Sequence, residues 1–220
     1  MQHLSVIFVV VSILYLVEGA KRTVPPPTGW KTCIAKGDPH YTTFDGYEFE
    51  FSGHCSYVLT SDCTSHRTNK RFVVKATNMV LGKTARVIQV NVEVAGYNIE
   101  LCEGKTMKVD GVLIENPYFP YDVNQGHEVI IHLEGEYLIL MADGIHVHWD
   151  GAWHVEVDID PEPIHKGIET LCGMCGNANG INAYYDDLVT YAGLTIKDDS
   201  PIEIARFADS WVVPKSCVSI

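Results

Sequence analysis

An apolar leader followed by seven cysteines constrains this chain more than any other feature. Leu4 to Val17 is apolar and closes in Glu18-Gly19-Ala20. The run is too short to span a bilayer comfortably, and small residues end it, so residues 1–19 read as a secretory signal cleaved after Gly19 or Ala20. Every cysteine lies beyond it: Cys33, Cys55, Cys63, Cys102, Cys172, Cys175 and Cys217. In the oxidising compartment such a leader implies, cysteines pair, and an odd number leaves one over. The count alone does not choose the pairing.

The chain beyond the leader suffices for one domain with a sizeable core. Net charge is -12, and Lys and Arg form no block. Acidic chains repel phosphate backbones, which argues against nucleic acid and favours a cation or a basic partner. No later stretch is long and apolar enough to span a membrane, so a secreted product is expected. No Asn-x-Ser/Thr acceptor occurs. Lys21-Arg22 is a solvated stub or a dibasic processing site. Residues 20–32 carry Pro25-Pro26-Pro27 and read as an extended linker. The domain is expected to occupy residues 33–217.

The interior is β in character. Residues 71–76, 87–94, 98–101 and 105–109 are rich in β-branched side chains, and residues 89–94 alternate polar and apolar as a half-buried strand does. Residues 128–133, 137–141, 145–149 and 154–159 continue the series. Gly96, Asp110-Gly111, Gly135, Gly144 and Asp150-Gly151 punctuate it, and Asp110-Gly111 suits a tight hairpin turn. Many short strands with Gly turns predict an all-β antiparallel sandwich or meander. Residues 161–166 lead towards the last cysteines, and residues 201–208 form one short C-terminal helix.

Two motifs stand far apart. One is Gly37-Asp38-Pro39-His40 through Asp45-Gly46, continued by Phe51-x-Gly53-x-Cys55-x-Tyr57-Val58-Leu59. The other is Cys172-Gly173-Met174-Cys175-Gly176-Asn177, continued by Asn179-Gly180-Ile181. Val147-x-Trp149-Asp150-Gly151 precedes the second, and Phe207-x-x-Ser210-Trp211 comes after it. Together they resemble the signatures of the von Willebrand factor type D domain, over essentially the whole chain after the leader. The resemblance implies disulfides Cys33–Cys175, Cys55–Cys217 and Cys63–Cys172, and leaves Cys102 unpaired. It also implies a calcium site built from Asp45, Asn177, Asn179, the Ile181 carbonyl, Asp186 and Asp187. Calcium takes six to eight hard oxygen ligands on a chain that wraps tightly, which Asn-x-Asn-Gly and two later Asp can supply. Two departures from the family pattern bear on that site. Asn179 replaces a frequent Asp, and Tyr184-Tyr185 adds bulk to the loop. Without a metal, the segment reads as a polar turn.

Other chemistry finds less support in the residues. Cys-x-x-Cys is shared with redox and zinc sites, but redox motifs open a helix, and Gly176-Asn177-Ala178-Asn179-Gly180 starts one poorly. His146 and His148 lie on one face of a strand, and His154 lies just beyond the Asp150-Gly151 turn. They are either three rings converging on zinc or copper, or outward polar residues. His127 to His132 is one residue too long for a metalloprotease motif, and no nucleophile elbow or phosphate loop occurs. Cys102 is either an intermolecular bridge giving a covalent homodimer or a buried inert thiol. The expected function is that of a secreted, calcium-stabilised structural or interaction module, not an enzyme, with an unidentified extracellular protein as partner. Thiol–disulfide exchange or another oxidoreductase activity is the alternative.

Overall fold

The computed structural model describes residues 25–37, 39–63, 70–82, 84–142, 144–160 and 171–217. The expected signal over residues 1–19, Lys21-Arg22, Asp38 and the segment 161–166 lie outside them. Two antiparallel sheets hold the described strands. The first runs in the order β10 (Tyr121–Asp122), β11 (Val129–Glu134), β12 (Tyr137–Ala142), β13 (Ile145–Trp149), β14 (His154–Ile159), β1 (Lys31–Lys36), β2 (His40–Thr42) and β3 (Glu48–Glu50). The second runs in the order β15 (Leu171–Cys172), β4 (Ser56–Asp62), β5 (Phe72–Leu81), β6 (Thr84–Val94), β7 (Tyr97–Cys102), β8 (Met107–Val109) and β9 (Val112–Leu113). An all-β antiparallel architecture is the outcome of the period-two patterning. Val90, Val92, Ile99 and Leu101 of the second sheet share one buried core with Leu140, Ile145, Val147, Trp149, Val155 and Val157 of the first.

Short connections place most strands beside their sequence neighbours. Asp110-Gly111 turns β8 into β9 with φ of 49° and 78°, the left-handed conformation that its composition favours. Strand β1 breaks this local order. It pairs with β2 on one side and with β14 on the other, in the register Cys33↔Val157. The strand begins at Lys31, so residues 31 and 32 of the expected linker are already part of the sheet.

The C-terminal helix spans Pro201–Ser210. Pro201 occupies its first turn, and the Ser200 side chain accepts from the Glu203 N–H as an N-cap. Ile204, Phe207 and Ala208 form its buried face, and Phe207 meets Phe49 edge-on at 5.8 Å. Trp211 closes the helix by donating its indole N–H to the Val189 carbonyl at 3.0 Å. Beyond the helix, the Trp211 carbonyl accepts from the Val58 N–H, and the Val213 N–H donates to the Ser56 carbonyl. The end of the domain is thereby sewn onto β4.

Three disulfides reinforce this closure: Cys33–Cys175, Cys55–Cys217 and Cys63–Cys172, separated by 142, 162 and 109 residues. Loops of this length make each bridge worth roughly 5 kcal/mol in the chain-entropy model. Cys102 is the one free cysteine among the described residues.

Candidate metal centre

The Cys-x-x-Cys segment docks as an irregular extension of the second sheet. Leu171 and Cys172 pair with Asp62 and Ser61 of β4. The β4 register then shifts between Val58 and Thr60, and the Met174 and Cys175 N–H groups donate to the Val58 and Leu59 carbonyls at 3.0 and 2.8 Å. Gly173 permits this approach. Its φ is +126°, and a Cβ there would lie 2.5 Å from the Leu59 oxygen. The Cys175 carbonyl in turn accepts from the Phe44 N–H at 3.0 Å. One short segment therefore joins β4, Cys33 and the loop that carries Asp45.

Around that junction Asp45, Asp186 and Asp187 converge, with one carboxylate oxygen from each within 4.8 Å of the others. The Asp45 side chain is fully buried. Its Oδ1 accepts from the Gly180 N–H at 2.8 Å and from the Lys31 ammonium. Asp187 Oδ2 accepts from the Thr43 hydroxyl at 3.0 Å. Because the Thr43 oxygen itself accepts from the Tyr47 N–H, its proton is directed at Asp187. Asp45 Oδ2 and Asp187 Oδ1 are buried and have no hydrogen-bond partner. Burial, then the fields of Asp45 and Asp186, push the Asp187 carboxyl up to about 7, against the opposing pull of Thr43 and Lys31. Gly176, with φ of +76°, leaves the space: a Cβ there would fall 2.2 Å from Asp187 Oδ1.

The remaining residues of the expected site have other tasks in this geometry. Asn177 Nδ2 donates to Asp186 Oδ2 at 3.0 Å, while its Oδ1 accepts from the Asn179 N–H at 3.0 Å. Asn179 Oδ1 accepts from the Ile181 N–H at 2.8 Å, and the Ile181 side chain is exposed. These are two successive Asx turns, and they curl residues 177–181 over Asp45. The one-turn helix Tyr184–Asp187, absent from the sequence expectation, presents Asp186 and Asp187. Thr43, Lys31 and Gly176 also join the centre without having been expected there. The only sequence signal for them was proximity to Asp45 or to the cysteine motif.

The structure corrects the histidine expectations. His148 lies on the sheet face away from the core but is buried rather than solvent-exposed, and it bonds Asp158 through Nε2 at 3.0 Å. His154 does not join His146 and His148. It pairs instead with the Tyr137 hydroxyl at 3.1 Å and with Glu156. Adjacent strands bring Asp158, not His154, opposite His146. His127 precedes β11, so it does not share a strand with His132. Cys102 is half-buried, with its thiol pushed up chiefly by burial.

Fold and centre together define a disulfide-clasped, two-sheet domain with a carboxylate cluster between its opening loop and its last third. Sequence comparison gives that class its family. The von Willebrand factor type D domain profile matches residues 33–194, and the chain belongs to that family. It is 36% identical to zonadhesin of Sus scrofa over 73% of this chain and 6% of that protein. It is 31% identical to SCO-spondin of Gallus gallus over 86% of this chain and 3% of that protein. With Mucin-2 of Mus musculus it shares 30% identity over 86% of this chain and 4% of that protein. The chain thus spans only these small shares of the length of the relatives it matches.

Proposed function

We propose that this domain is an extracellular structural and interaction module whose Asp45–Asp187 junction is stabilised by calcium. The buried, partnerless Asp45 Oδ2 and Asp187 Oδ1 carry this reading. Buried carboxylate oxygens without a partner are costly, and hard carboxylate oxygens favour calcium over softer ions. Asp45, Asp186 and Asp187 would hold the ion, and the adjoining loop carries the Ile181 carbonyl and the Asn177 and Asn179 side-chain oxygens, which already accept from backbone N–H groups. The ion would neutralise the cluster and tie the opening loop to the last third of the domain. Lys31 supplies a single positive charge against three carboxylates, which leaves the junction anionic.

Disulfide usage favours a module over a thiol–disulfide catalyst. Cys172 and Cys175 each bond a distant cysteine, so neither has a neighbouring thiol with which to exchange. An extracellular protein is the partner class that suits a clasped, oxidised domain. Thermal melting in calcium and in chelator tests the metal. A binder of the folded state alone raises the melting temperature with concentration. An unchanged melting temperature across millimolar calcium would remove the calcium reading. Affinity capture from the secreting fluid, with and without calcium, addresses the partner.

A further inference from the structure

We infer that His146, His148 and Asp158 form a second metal site, for a zinc- or copper-class divalent ion, on the face of the first sheet away from the core. One nitrogen of each ring and one Asp158 oxygen lie within 4.8 Å of one another. The arrangement follows from the strand period. His146 and His148 are two apart on β13 and share a face, and Asp158 lies directly across from His146 on β14. The neighbouring core-facing positions Ile145, Val147 and Val157 fix the register, because a one-residue slip would bury the polar set in the core.

The His148 ring is buried and turns its Nε2 towards Asp158. Its side chain is only 4% exposed, and Nδ1 has no hydrogen-bond partner. Either neutral tautomer leaves a buried lone pair without a donor. With the proton on Nε2, the Nδ1 lone pair is unspent. With the proton on Nδ1, the Nε2 lone pair faces the Asp158 carboxylate at 3.0 Å. A cation held between Nε2 and Asp158 Oδ2 removes the second mismatch and leaves Nδ1 as the protonated nitrogen, and two imidazoles with one carboxylate are the donor set that suits zinc and divalent copper rather than calcium.

Surrounding groups already orient the donors. The Thr32 hydroxyl donates to Asp158 Oδ1 at 2.6 Å, leaving Oδ2 towards His148. The Trp30 ring lies against His146, with centroids 4.4 Å apart. Second contacts of this kind hold metal ligands in place. His146 also lines a cleft of about 780 Å³ together with His132 and Met141, which gives an ion a route from solvent and leaves room for water as a further ligand.

Calorimetric titration of the calcium-equilibrated protein with Zn²⁺ and, separately, Cu²⁺ tests the assignment. One site per chain is expected for at least one ion, with affinity falling about 10- to 100-fold or more in His146→Ala. His146 is half-buried and outside the core, so that variant should keep its fold, which the melting temperature in chelator checks. His127→Ala, which removes a cleft histidine outside the cluster, should bind as the parent does. Substitution with cobalt should give the intense visible bands of a low-coordinate nitrogen–oxygen site, lost in His146→Ala. Failure of both ions to bind, or undiminished binding by His146→Ala, would overturn the site. Neither result would bear on calcium at Asp45.

Discussion

The Thr43 hydroxyl donates to Asp187 Oδ2 at 3.0 Å across 144 residues of chain. Thr43→Val keeps the shape and removes this bond, leaving both the Tyr47 N–H and the Asp187 oxygen without their partner. A loss of about 1–3 kcal/mol is expected, measured by denaturant unfolding in chelator. Calcium should recover part of that loss, because the ion gives Asp187 a new partner.

Stability should depend on pH with a definite sign. The Asp187 pKa rises from 3.8 to about 7 on folding, so between those values the native state holds a proton that the unfolded chain has released. Its contribution is therefore fullest below pH 3.8, declines as pH rises towards 7, and is level above that. In chelator, Asp187→Asn should flatten this slope across roughly pH 4–7. Calcium should oppose the slope as well, and its affinity should fall as pH drops below about 7, since proton and ion compete for the same oxygens. Melting temperatures across pH in calcium and in chelator check both statements.

Gly176→Ala should damage the junction more than a surface glycine substitution would. The added Cβ meets Asp187 Oδ1 at 2.2 Å, and φ is +76°. Strain alone costs about 1–3 kcal/mol. Gly193→Ala, with a similar φ but nothing near the added carbon, is the control that separates conformational strain from collision. The larger melting-temperature loss is expected for Gly176→Ala.

Cys102 should react slowly in the native state. Its thiol is half-buried and its pKa is raised, so little thiolate forms near neutral pH. Thiol titration should find one group that alkylates slowly when folded and fast in denaturant. A non-reducing gel should show no dimer that disappears in Cys102→Ser.

Removing the Cys33–Cys175 bridge, as the double serine variant, should cost about 2–5 kcal/mol. It should also weaken calcium binding, because Cys175 and Phe44 hold the Asp45 loop against the cysteine segment. Calorimetry with calcium on the folded fraction distinguishes this from simple destabilisation.

Much of the fold was legible locally. Strands β13 and β14 arise directly from period-two alternation, and the Asp110-Gly111 turn arises from its need for positive φ. Strand β4 was visible only as part of a motif, because its buried run Leu59 to Asp62 does not alternate. The short β1, β2 and β3 are held by their neighbours more than by any pattern of their own. Asp45 and the two adjacent aspartates were visible as oxygen donors. The helix that aims those aspartates was not, because four residues carry no period.

By itself the sequence determined the antiparallel β class, the turn positions and the presence of an odd cysteine. These depend on side-chain alternation and on backbone conformations that few residues tolerate. Tertiary structure alone decided that Gly173 lies against Leu59, that Thr43 aims its proton at Asp187, and that Asp158 rather than His154 stands beside His146 and His148. The first two depend on which segments become neighbours across more than a hundred residues, and on how a bulge in β4 turns the cysteine segment. The third depends on the register between β13 and β14. Those choices rest on burial and packing of the whole core, which no local window of sequence contains.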